Sequence, residues 1–233
     1  MKRFAMLSAG MLGLAFTTTT FAQGTGGGDA KERVAALKQS LAQSQQALRS
    51  YQWVETTTVS LKGEQKSMKQ AACAYGPDGR VQKTPLASSP PPKKKGGLRG
   101  KIAEEKKEEL TDTMKQAMGL VKTYVPPNPA LIQRAVDAGK VSVEVVQPGK
   151  AVRLVFKDYE LPGDSLAITM DLATNHLTGI SVATYLGTPS NPVTLDTTMA
   201  DLPDGATYTA KTKLSLPSEK IVVDVANAGY RKM

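Results

Sequence analysis

Residues 151–186 read AVRLVFKDYELPGDSLAITMDLATNHLTGISVATYL. Val152, Leu154 and Phe156 alternate with Arg153 and Lys157, and Leu166, Ile168, Met170 and Leu172 alternate with Thr169 and Asp171. Ile180, Val182 and Leu186 form a further apolar row. A period of two over runs this short marks strands with one buried face, because successive side chains point to opposite sides. Pro162-Gly163-Asp164 and Thr174-Asn175 stand between the runs. Such residues supply the fixed or positive φ at which a chain reverses. Strands joined by so short a connection pair antiparallel.

The same pattern extends in both directions. Upstream, Val141, Val143 and Val145 share a face ahead of Pro148-Gly149. Downstream come the rows Val193, Leu195 and Met199, then Tyr208, Leu214 and Leu216, then Ile221, Val223 and Val225, with turns at 203–205 and 217–218. Residues 141–230 therefore read as one antiparallel sheet with an apolar face in need of cover. Three further strands are expected at 51–61, 65–75 and 80–86, and because a small isolated meander is marginal, they are expected to continue the same sheet.

The cover is expected from helices. Asp29 and Glu32 stand three apart like a capping box, and Val34, Leu37, Leu41 and Leu48 follow at helical spacing, giving a first helix over 30–50. A second helix is expected over 101–125, with Ala103, Leu110, Met114, Ala117, Val121 and Tyr124 on one face, ended by Pro126-Pro127. Asn128 caps a third, with Pro129 at its first position, Leu131, Ile132, Ala135 and Val136 buried and Gly139 as terminator. The fold class is α+β: a curved antiparallel sheet of about nine or ten strands, an unclosed barrel, with the helices on its concave side. Met114, Met118, Met170 and Met199 are expected at inward or near-inward positions.

Met1-Lys2-Arg3, the apolar run 4–16 and the small residues up to Ala22 form a signal-peptide pattern, too short for a comfortable membrane span. Cleavage is expected after Ala22, leaving a mature protein that is periplasmic or secreted. Residues 1–22 are thus the signal peptide, 23–28 a Gly-rich spacer, and 29–233 one domain carrying a Pro/Lys-rich linker at 87–100. The formal charge of +9 falls to +7 without the leader, 28 basic against 21 acidic residues. Basic residues concentrate at Lys93, Lys94, Lys95, Arg99 and Lys101. This cluster is either a solvated loop or a contact for an anionic membrane surface or an acidic envelope protein. Nucleic acid is not an expected partner, because the 12 aromatic residues are not interleaved with basic ones.

No catalytic constellation stands out, and no enzymatic activity, cofactor or metal is expected. Cys73 is the one cysteine and alternates with Ala71 and Tyr75 as a small buried residue; His176 is the one histidine and falls in a turn. Asp158, Asp164 and Asp171 read as turn formers.

The order helix, meander, helical insert, long meander resembles the LolA/LolB-like superfamily of periplasmic lipoprotein carriers. Residues 171–180, DLATNHLTGI, and the aromatic start of the first strand, Tyr51-Gln52-Trp53-Val54, are similar to patterns there. The Pro/Lys linker departs from it. The resemblance implies an unclosed barrel holding acyl chains under a helical lid: a carrier or binder of an acyl chain, a lipid or a lipidated protein. The ligand contacts expected are Trp53, Leu110, Met114, Val121, Leu154, Phe156, Ile168 and Met170, apolar residues on faces that should meet across the sheet–helix gap. The alternative is an envelope binding or assembly module with a filled core.

Overall fold

The computed structural model describes residues 26–88 and 98–233. The expected signal peptide, residues 23–25 of the spacer, and Lys93, Lys94 and Lys95 lie outside the described residues. Helix α1 (Gly26–Leu48) leads into strands β1 (Tyr51–Leu61), β2 (Glu64–Tyr75) and β3 (Val81–Ser88). Helices α2 (Leu98–Val121) and α3 (Pro129–Asp137) follow. The chain then runs through β4 (Val141–Gln147), β5 (Ala151–Lys157), β6 (Ser165–Asp171), β7 (Leu177–Tyr185), β8 (Pro192–Asp201), β9 (Thr207–Leu216) and β10 (Ile221–Lys232). All ten strands form one antiparallel sheet in the order β3-β2-β1-β10-β9-β8-β7-β6-β5-β4. β3 and β4 are its free edges, so the barrel is unclosed.

The period-two rows settle the register. Phe156 stands opposite Val141 on one side and Leu166 on the other; Leu154 faces Val143 and Ile168. Ile168 faces Ile180, and Val182 faces Leu195, which faces Leu214. Each pair places like against like on one face, which a one-residue slip would turn out to solvent. Val34 and Leu37 of α1, Ala117 of α2, and Ile132 and Ala135 of α3 are buried in the same cluster as these strand residues. The helices therefore cover the sheet and do not form a bundle of their own.

Several boundaries differ from expectation. α1 begins at Gly26, so Asp29 lies within its first turns and is not the N-cap. α2 ends at Val121, four residues early, where the Thr123 and Tyr124 amides turn back to the Leu120 and Val121 carbonyls. Asn128 does cap α3: its side chain accepts from the Ala130 amide. Gly139 takes φ +66, the left-handed conformation that lets the chain leave the helix. Met118 is 46% exposed, a correction of its expected inward position. The buried stripe of α2 runs through Met114, Ala117 and Val121, and Met118 stands beside it on the outer side. Tyr208 is also displaced. It lies beyond the register shift between Thr198 and Met199, and packs half-buried against Tyr230 while Leu214 and Leu216 enter the main core.

Turn aspartates act as the sequence suggests, and they make stability depend on pH. The Gly163 amide holds the Asp158 carboxyl below its ordinary value, assisted by Lys140; the Thr174 amide does so for Asp171, and the Tyr51 hydroxyl for Asp204. A depressed carboxyl contributes stability in full above its unfolded value and loses it as pH falls through the folded one. Urea melts should show Asp158→Asn less stable than wild type at about pH 7 and converging with it below about pH 4. A gap that stays constant as pH falls from about 4 through the acid range would disprove the linkage.

Candidate functional site

The expected ligand contacts divide into two groups. Leu154, Phe156 and Ile168 are 0% exposed and Met170 is 2% exposed, all in the main core. Leu110, Met114 and Val121 pack half-buried against that core from α2. Trp53 is not with them. It shares the core face of β1 with Val59 and Leu61, but it lies where β1 runs beside the far end of β10. Its ring stacks on Tyr230 at 5.3 Å and tilts against Tyr75 at 5.6 Å, and Nε1 donates to Asn227 Oδ1 at 3.1 Å. Tyr51 and Tyr208 complete this aromatic cluster through Tyr230. Gly229, at φ +67, and the register shift between Gln52 and Val54 mark the same end of the β1–β10 pair. Burial, before the neighbouring phenols and thiol, pushes the Tyr230 hydroxyl well above its ordinary value.

The helical insert is fastened to the sheet by the β5–β6 connection. There the Asp164 carboxylate, 3% exposed, accepts from three successive amides: Tyr159 at 2.6 Å, Glu160 at 3.1 Å and Leu161 at 2.7 Å. The Tyr124 hydroxyl, reaching in from the turn after α2, donates to the same carboxylate and lies 2.8 Å from Thr184 Oγ1. Burial first, and Asp164 second, push that phenol far above its ordinary value, so Tyr124 stays a neutral donor. The Asn128 amide donates to the Tyr159 hydroxyl at 2.8 Å, and Arg134 Nη2 donates to the Tyr159 carbonyl at 3.1 Å. The sequence marks Asp164 as a turn former. Its burial and its partner Tyr124, 40 residues away, carry no local signal.

The surface formed by the described residues includes two depressions. One, of about 750 Å³, lies between α1 and the α2–α3 connection and α3. Leu41, Ala42, Pro126, Pro127, Pro129, Leu131 and Ile132 supply its apolar lining, with Lys38, Gln45, Lys122 and Glu160 among the polar groups. Ile132 at its base also belongs to the main core. The other, of about 530 Å³, is lined by residues of the β1–β2 turn and the β9–β10 turn, Lys62 and Pro217 among them. Neither lining includes any of the eight expected contacts.

Arg99 and Lys101 of the basic cluster fall at the start of α2, where only the backbone is described. Cys73 is buried and free, its thiol pushed up by burial. His176 is half-buried with Nδ1 3.1 Å from the Asp201 carboxylate. Among the described residues, no group of three or more His, Cys, Asp or Glu side chains could hold a metal ion. No helix among them is long and apolar enough to cross a membrane.

No protein-family model matches the chain, and no curated protein matches it. A solved structure of a DUF1329 family protein from Desulfovibrio piger is similar at 8% identity, over 87% of this chain and 92% of that one, with a TM-score of 0.41. At that score the likeness carries no argument about fold or function.

Proposed function

We propose that the chain is a non-enzymatic binder of an apolar ligand (an acyl chain, a lipid or a lipidated protein), exported by a signal peptide cut after Ala22 and working in the periplasm or outside the cell. The observation that supports this reading best is the cleft between α1 and α3. Its apolar walls descend from half-buried Leu41 and Leu131 to buried Ile132, so an apolar chain lying there meets the outer surface of the core layer. A cavity of a few hundred cubic ångströms with apolar walls and few polar groups is the usual form of a small-molecule site. The order of elements on which the LolA/LolB resemblance rests is also the order observed. In this reading the basic cluster around 93–101 brings the protein to an anionic membrane surface or an acidic envelope partner.

Native mass spectrometry of protein purified without detergent from a periplasmic fraction tests it. The expected spectrum shows a chain beginning at Gln23 and carrying adducts of lipid mass. A bare chain with no adduct, together with no binding of added lipid, would overturn the reading.

A second reading has its own observation. On edge strand β4, Val145 is 66% and Val146 47% exposed, and the strand VSVEVVQ holds neither proline nor lysine. The opposite edge, β3, carries Pro85 and Lys83. Proline and lysine are the usual protection against strand addition, so β4 is the edge at which an envelope protein could add a strand. That assembly module becomes the better reading if no apolar ligand binds.

A further inference from the structure

We propose that the α1–α3 cleft takes one class of ligand, a free single-chain fatty acid, with its carboxylate held by Lys38 and Lys122; the proposal rests on the apolar-ligand reading above. Two lysines against one glutamate line the cleft, and the balance favours an anionic head. Lys38 Nζ donates to Gln133 Oε1 at 3.0 Å, a neutral acceptor, and forms no ion pair with a carboxylate among the described residues. Lys122 is exposed and forms no ion pair with a carboxylate among the described residues. Both are long side chains whose stems can lie along apolar walls while the ammonium groups stay in water. Leu41, Leu131, Pro127 and Ile132 offer the chain apolar surface, and Gln45, Thr123 and Asn128 line the cleft beside them. A concave site of about 750 Å³ is on the scale of one small ligand. A membrane contact would need a broad exposed patch, so the free acid is the source of the head group that this geometry suits.

Calorimetric titration of the full chain tests the assignment, with monomeric dodecanoate, dodecanol and dodecyltrimethylammonium as ligands. Wild type should bind dodecanoate about tenfold or more tightly than dodecanol, as two charge-assisted contacts imply. In the doubly reversed variant K38E/K122E that advantage should vanish, with dodecanoate affinity falling further than dodecanol affinity. Added salt should narrow the gap in wild type. Both positions are at least partly exposed, and K38Q/K122Q gives the same reading should charge reversal disturb folding. Equal binding of dodecanoate and dodecanol, unmoved by either variant, overturns the head-group assignment and leaves the apolar-ligand reading standing. No binding of any of the three overturns both. Binding to phosphatidylglycerol vesicles without binding of monomeric dodecanoate overturns the free-acid assignment in favour of a membrane contact.

Discussion

Replacing Asp164 by alanine is expected to cost about 3–5 kcal/mol of stability, the penalty of removing one partner from a buried, charged hydrogen-bond network. Three amide donors and the Tyr124 hydroxyl converge on this one carboxylate, and Tyr124 and Tyr159 are buried with it. Tyr124→Phe should cost less, about 1–2 kcal/mol, because it removes one donor and leaves the amides satisfied. The two changes share the network, so their effects should fall short of additivity. Urea melts of both single variants and the double variant measure this. Hydrogen exchange adds a spatial readout: in Asp164→Ala the amides of α2 and α3 should exchange faster than those of β7 and β8. An Asp164→Ala variant within 1 kcal/mol of wild type (below the ~1–3 kcal/mol cost of one unsatisfied donor) would show that the carboxylate does not fasten the insert.

Phe156→Ala should cost about 3–5 kcal/mol, the usual range for deleting a buried aromatic ring and leaving a cavity. The side chain is fully enclosed, with Val141 and Leu166 as its cross-strand neighbours and the Tyr159 ring at 6.3 Å. Met114 lies half-buried on α2, so Met114→Ala should cost below about 2 kcal/mol. Denaturant melts give the stabilities, and a fluorescent fatty-acid titration of the same proteins gives binding. If the chain lies in the outer cleft, neither variant should change affinity much, since neither residue lines it. A small stability loss at Phe156 combined with a large loss of binding would instead place the ligand in the sheet–helix layer itself.

The sheet was legible because its signal is local and repeated. Seven rows of alternating apolar residues, each ended by a turn residue, leave few ways to pair strands 4 to 10, and the observed partners Ile168–Ile180 and Val182–Leu195 follow directly. Trp53 shows where that reasoning stops. Parity along β1 gives its face correctly, but parity says nothing about how far along the strand the helices reach. Parity alone therefore places it with Leu154 and Phe156, whereas it lies among tyrosines at the other end of the seam. The Tyr124–Asp164 bond was hidden for a related reason. Tyr124 continues the helical spacing of α2 in sequence, yet the helix has ended at Val121, and the ring turns into the β5–β6 connection. The cleft was equally unreadable, since its walls come from α1 and from residues some 80 positions later, brought together by tertiary packing.

The adjacency of β1 and β10 sets the order in which the molecule can assemble. Ten residue pairs join 51–61 to 221–232, and the Met233 amide adds a bond to the Ser50 carbonyl. Trp53 and Asn227, bonded across this seam, are 174 positions apart. The loop closure for such contacts must come before they return any stabilisation, which makes them slow to form. Strands 4 to 9 can zip up from neighbouring hairpins, and β1 to β3 can do the same. Until β10 arrives between them, β1 and β9 each present a bare row of amides and carbonyls. A delay in closing this seam would leave those two strand edges open to mispairing.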